Sequence, residues 1–263
     1  MMNDFDNYIC EENLSIAWIK AFLKVMNTNE VSPLIVSITG FENGTPIELN
    51  EIRRLLDNNL VINKTNLNVN QVANTIFPVS IWNKAKPRQL LYDRYFRIYP
   101  KIKKDRRNCY GVYFSRMTAY LPKGSSGKPI NQLEDIIKLW TETKRNQNKN
   151  PRRTALQINI YDPTRDLTSQ PRRGFPCLQH VTFAPFGRDG LVVTGFYALQ
   201  HIYERAYGNY LGLCRLGHFV AHAMGLKLVR MNCFSGIANL GKIPKSALSV
   251  LKKQLLEKYT KNI

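Results

Sequence analysis

Between Leu178 and Cys233 the chain sets out an order of elements that narrows its architecture sharply. Leu178–Phe183 reads as a strand, and Asp189-Gly190 has the composition of a tight turn. Leu191–Phe196 is a second strand, Leu213–Met224 an apolar helix, and Leu226–Cys233 a third strand. Helices and strands mix here without strict βαβ alternation, and no linker-like change of composition interrupts the chain. The expectation is a single α+β domain over residues 1–263, a mixed sheet covered by helices.

The flanking sequence adds elements of both kinds. Residues 12–27 carry Leu14, Ile16, Trp18, Ile19, Phe22, Leu23 and Met26 at helical spacing, with Asn13 as an N-cap. Pro33–Gly40 reads as a buried strand, and residues 46–59 and 88–98 as helices. The Asn-rich stretch 58–74 reads as loop, and Tyr110–Tyr120 as strand. Ile130–Lys144 is amphipathic: Leu133, Ile136, Ile137, Leu139 and Trp140 oppose Glu134, Asp135 and Lys138. Arg153–Tyr161 alternates as a strand, a polar segment fills 162–174, and Pro244–Tyr259 reads as a terminal helix that starts on proline.

Composition excludes several classes. With 44% hydrophobic and 22% charged residues the chain is not disordered as a whole. No apolar run approaches a membrane span, and the first residues lack the basic and apolar regions of a signal peptide, so a cytoplasmic protein is expected. Cys10, Cys109, Cys177, Cys214 and Cys233 are scattered and never form a C-x-x-C pair, which argues against disulfides and structural zinc. His218 and His222 share a helix face without a third ligand, so no metal is expected.

Charge is the unusual term. There are 38 Lys and Arg against 19 Asp and Glu, a formal +19. Eleven of these cations lie between Lys84 and Arg116, interleaved with Tyr92, Tyr95, Phe96 and Tyr99. A field of this sign favours anionic partners, nucleotides and nucleic acid among them.

Five short pieces then fall in a telling order: Arg152-Arg153, Tyr161-Asp162-Pro163, Phe175-Pro176-Cys177, Asp189-Gly190, and Arg205 to Leu213 (RAYGNYLGL). Together they resemble the central stretch of the thymidylate synthase family, which reads R-R, W-N-P, P-C-H, D-G and Q-R-S-x-D-x-x-L-G-x-P-F-N. Upstream, Phe77-Pro78 resembles the family's F-P-L-x-T-T-K. Asp93, sixteen residues on, stands in register with its catalytic glutamate, and Cys109-Tyr110-Gly111 resembles Y-G-x-x-W. The resemblance covers residues 77–240, leaving 1–75 as a divergent N-terminal part and 244–259 as a C-terminal helix.

The resemblance implies a thymidylate synthase-like fold, a homodimer through the sheet face, and one-carbon transfer to C5 of a pyrimidine nucleotide, giving a methyl or hydroxymethyl product. Cys177 would be the nucleophile and Asp93 the proton-handling group, with 5,10-methylenetetrahydrofolate as donor. Arg205 would hold phosphate, and Arg152 and Arg153 would reach the phosphate site of the other subunit. Arg172 and Arg173 stand near enough in sequence to add to the field that activates a thiolate. Asn209 is a further nucleotide-binding candidate. The interval from Asp189-Gly190 to Leu211-Gly212 is about six residues longer than the family's, so a second register places Leu199, not Arg205, at the arginine position.

The departures fall on base, sugar and folate recognition. The R-T-G-T phosphate loop and the late H-x-Y motif are absent. Leu178 replaces the histidine after the nucleophile, Gly208 the folate-contacting aspartate, Leu216 the base-reading asparagine, and Phe114 the tryptophan of Y-G-x-x-W. Two readings therefore stand: a one-carbon transferase, and a nucleotide- or nucleic-acid-binding protein with lost or repurposed catalysis.

Overall fold

A computed structural model describes residues 7–147, 151–170 and 175–259. In chain order the elements are β1 (Tyr8–Glu11), α1 (Leu14–Thr28), β2 (Glu30–Val31), β3 (Leu34–Ile38), β4 (Phe41–Glu42), β5 (Thr45–Pro46), α2 (Asn50–Ile62), α3 (Val69–Ile76) and α4 (Gln89–Lys104). Then follow α5 (Tyr113–Thr118), α6 (Gln132–Gln147), β6 (Gln157–Asn159), α7 (Pro163–Asp166), β7 (Leu178–Phe186), β8 (Gly190–His201), α8 (Tyr207–Met224), β9 (Lys227–Asn239) and α9 (Ser249–Tyr259).

The seven-stranded sheet runs β1-β3-β9-β8-β7-β6, with β2 pairing on β9. β8 and β9 are parallel, which requires a crossover, and α8 supplies it. The hairpin from β7 to β8 is antiparallel, as its Asp-Gly turn dictates. The α+β expectation holds: a mixed sheet with its helices in one domain. Among the described residues no helix is long and apolar enough to cross a membrane.

Burial alternates along β8 and β9, so each strand has a covered side and a half-exposed side. Val193, Tyr197, Met231 and Cys233 are buried in the core beneath the helices. On the other side one row of paired residues crosses the sheet: Tyr8, Ile35, Phe234, Phe196 and His180. The rings of Phe234, Phe196 and His180 stack at 5.2 and 5.6 Å, and all three are half-exposed.

Four sequence expectations change. Residues 69–76 are helical, not loop; Asn68 and Gln71 form a reciprocal capping box that starts α3. Residues 113–118 are helical, not strand, because Phe114 and Met117 turn together into the core, where Phe114 meets Phe77 and Tyr95. That packing overrides the strand preference of aromatic residues. The helix read over 88–98 continues past Pro100 to Lys104. The strand read over 153–161 shrinks to Gln157–Asn159, preceded by a single 3-10 turn at Arg153–Ala155.

Candidate active site

Cys177 directly precedes β7. Its carbonyl accepts a hydrogen bond from the Ala198 amide at 3.1 Å, which fixes it against the C-terminal end of β8. That end carries Tyr197, Leu199, Gln200 and His201. The chain then widens into a π-helical turn, Ile202–Ala206, before α8 begins. Wide turns of this kind re-aim side chains and recur at functional sites. Here the turn carries Glu204 and Arg205, and the first turn of α8 brings Asn209. All of these residues line one cavity of about 280 Å³ together with Cys177, Arg107, Tyr113 and Lys242.

Three cations and one carboxylate thus line the cavity that holds the thiol. Burial pushes the Cys177 thiol up, and the Arg205 guanidinium pulls it down. Burial holds the His201 imidazole below its usual range, with Glu204 acting in the opposite sense; the two side chains approach to 3.9 Å. Burial also raises the Tyr113 hydroxyl, and so does the Cys177 thiol beside it.

Beneath the cavity floor, Gln200 is held in place. Its amide oxygen accepts from Ser235 Oγ at 2.9 Å and Tyr210 OH at 3.5 Å, and its amide nitrogen lies 3.4 Å from Cys233 Sγ. The Tyr197 hydroxyl is buried without a hydrogen-bond partner among the described residues. Phe175 stacks on Tyr113 at 5.2 Å and lies under the Arg116 guanidinium, which forms a buried two-pronged pair with Asp166.

A second cavity of about 310 Å³ adjoins the first. Arg107, Arg205, Val72 and Val112 line both. Its own walls are mainly apolar: Pro78, Ile81, Tyr95, Ile98 and Ile102.

The structure brings Cys177, Arg205 and Asn209 together. Both residues of the register question, Leu199 and Arg205, line the cavity, and the extended β8 and the π turn absorb the additional length. Asp93 is elsewhere, a correction to the sequence reading. α4 turns Tyr92 and Tyr95 inward, which leaves Asp93 exposed, accepting a hydrogen bond from Gln89 at 2.8 Å. Arg152 and Arg153 are exposed and line neither cavity. Arg172 and Arg173 lie outside the described residues.

Sequence reasoning missed Glu204, His201, Gln200 and Lys242, and took Arg107 only as part of a basic run. The six additional residues before Leu211-Gly212 were the one signal pointing to the π turn.

Gly208 has a steric reason. A Cβ there would stand 2.5 Å from Val72 Cβ and 2.8 Å from the Val69 carbonyl, so the close approach of α3 and α8 leaves no room for any side chain. Cys214 and Cys233 are buried, and burial pushes both thiols up. Among the described residues no group of three candidate metal ligands occurs. The sequence matches no protein-family model and no curated protein.

Proposed function

We propose that this chain is a thymidylate synthase-like one-carbon transferase acting at C5 of a pyrimidine nucleotide, with methylation or hydroxymethylation as the outcome. One observation carries the reading: Cys177 shares a cavity with the cations Arg205, Arg107 and Lys242 and with Glu204 and Asn209. Arginine forks suit a phosphate because they donate two parallel bonds.

The chemistry assigned to the chain's own groups is as follows. Arg205 favours the Cys177 thiolate, the reactive form. The thiolate adds to C6 of the pyrimidine, forming a C–S bond and moving the C5–C6 electron pair onto C5. Once C5 has formed its new bond, Glu204 takes the C5 proton; the electron pair left on C5 would expel the donor's amine nitrogen, and hydride from the donor or hydroxide from water would then add to the transferred carbon, giving methyl or hydroxymethyl, as the pair returns to C5–C6 and expels the thiolate. Glu204 replaces Asp93 in this role because it lines the cavity. Asn209, buried and with no side-chain hydrogen bond among the described residues, is available to a base or sugar edge.

The apolar walls of the second cavity and its two arginines fit 5,10-methylenetetrahydrofolate, a partly aromatic anion. Ile81, Ile98 and Ile102 would hold its rings and Arg205 its charge; Arg107 stands in the same wall paired with Asp105. Bound there, it would supply the one-carbon unit.

A homodimer through the half-exposed sheet face belongs to the same reading. The row Ile35, Phe234, Phe196 and His180 is the apolar surface that supports it. Arg152 and Arg153, exposed beside the edge strand β6, are then free to reach a second copy.

Incubation with 5-fluoro-dUMP and 5-fluoro-dCMP, with and without methylenetetrahydrofolate, tests the proposal by intact mass. The fluorine blocks the loss of a proton from C5, so a covalent adduct on Cys177 should accumulate and should vanish in Cys177→Ala. No adduct under any of these conditions, and none on a single strand carrying 5-fluorodeoxyuridine, overturns the reading.

A further inference from the structure

The basic tract from Lys84 to Arg116 exceeds what one nucleotide needs, and the structure sorts it. Arg88 pairs with Glu134, Arg107 with Asp105 and Arg116 with Asp166. Lys86, Arg94, Arg97, Lys101 and Lys104 are exposed and form no ion pair among the described residues.

Four of these lie on α4. Helical rotation of about 100° per residue places Arg94, Lys101, Arg97 and Lys104 in one stripe, about 15 Å long. Lys86 extends it, since Lys86 and Arg94 border the same shallow depression beside Trp82. Asp93, four residues before Arg97, is the carboxylate at the edge of this stripe; the four cations outnumber it, and like charges at this spacing repel, so the stripe costs stability unless an anion covers it.

The neighbouring stripe of the same helix is Tyr95, Ile98 and Ile102, the wall of the second cavity. Ile98 is 39% exposed, so this stripe reaches the surface at the mouth. It follows Arg94 by one helical turn, a separation of about 5–6 Å. From that mouth, Arg107 and Arg205 lead to Cys177, because both line the two joined cavities.

We infer that the cationic stripe of α4 docks the backbone of a single-stranded nucleic acid, so that the pyrimidine presented to Cys177 belongs to a strand rather than to a free nucleotide. This inference rests on the proposed function for the identity of the base. A single strand is specified because the thiol is recessed, and a base stacked in a duplex does not reach a recessed atom. The stripe reads no sequence; it tracks phosphates, while the cavity selects the base.

The test is fluorescence anisotropy of the full chain carrying Cys177→Ala, with a labelled 12-nucleotide single strand containing deoxyuridine and deoxycytidine, across a salt series. The same-length duplex, a polyglutamate peptide and phosphatidylserine vesicles serve as competitors. The single strand should bind, and log K should fall with log salt by about 0.7 per phosphate neutralised. Arg97→Glu with Lys101→Glu, both exposed positions, should cut affinity by on the order of tenfold or more and flatten the slope by about 1.4. Circular dichroism checks that the variant remains folded.

Unchanged affinity and slope in the double variant overturn the inference. So does equal competition by duplex, polyglutamate or vesicles. The assay needs no chemistry, so its result is separate from the trapping experiment. An adduct with free 5-fluoro nucleotides but no strand binding leaves the proposed function standing and removes this inference. Strand binding lost in the double variant, with no adduct from the free nucleotides or from a strand carrying 5-fluorodeoxyuridine, keeps the docking stripe and removes the proposed function.

Discussion

Arg205 and Cys177 line one cavity, and the guanidinium lowers the thiol's pKa while burial raises it. Removing the cation leaves burial unopposed. Arg205→Ala should therefore move the pH midpoint of Cys177 alkylation upward and slow iodoacetamide labelling near neutrality by up to about tenfold, since one pKa unit is a factor of ten in thiolate. Arg205→Lys should restore part of the rate. An unshifted pH profile in Arg205→Ala would show that the charge does not act on the thiol.

Glu204 is the carboxylate on the cavity wall where Asp93 was expected. Glu204→Gln should still form the 5-fluoro adduct, because thiolate addition precedes loss of the C5 proton. Release of tritium from a 5-tritiated nucleotide should fall by roughly 100-fold or more. Asp93→Asn should change neither readout. A tritium-release loss in Asp93→Asn with none in Glu204→Gln would return the role to α4.

Phe196 and Phe234 stack at 5.2 Å on the half-exposed sheet face. Apolar surface of this kind is covered in stable dimers. Phe196→Asp should convert a dimer to a monomer in sedimentation velocity at micromolar concentration, with the helical signal in circular dichroism retained. A wild-type monomer at high concentration would remove the sheet-face assembly.

Val72 lines both cavities and also fills the space a side chain at position 208 would need. Gly208→Ala should cost about 1–3 kcal/mol in urea denaturation, the usual penalty for overpacking a rigid interface. Gly208→Asp should be worse, since it adds a larger, charged side chain to the same space.

His218 is held down to about 4 by burial, with Lys84 and His222 acting in the same direction. Its unfolded value is about 6.5, so between these limits the unfolded chain binds the proton and the folded chain does not. Stability should be fully present above about pH 6.5 and decline as pH falls toward 4. With the discount for partial exposure the loss is roughly 1–2 kcal/mol. His218→Gln should flatten this limb in denaturant midpoints measured across that range.

The sheet and its crossover were legible because alternation and a Asp-Gly turn are local signals. Residues 178–233 accordingly fold into the predicted order of elements, with longer strands. α3 was hidden because asparagines suggested loop, although Asn68 and Gln71 are a capping pair by spacing alone. α5 was misread because Tyr113 and Phe114 favour strands wherever packing does not decide. At the site, Cys177 and Arg205 stood out through neighbouring short motifs. Glu204 and His201 carry no motif; the π turn brings Glu204 to the cavity and the end of β8 brings His201. Lys242 comes from the segment after β9, which no spacing rule links to β7.

Gly208 and Gly212 let α8 press against the backbone of α3: a Cβ at 212 would stand 2.9 Å from the Ala73 carbonyl. Two helices in backbone contact move as one body, and side-chain rotation cannot part them. The cavity wall at Val72 and Thr75 is thereby set by backbone contact, whereas the wall at Arg107 and Asn108 is set by side-chain hydrogen bonds to Asp105 and Ile102. Reshaping the first wall requires moving a helix, while a single side-chain substitution reshapes the second.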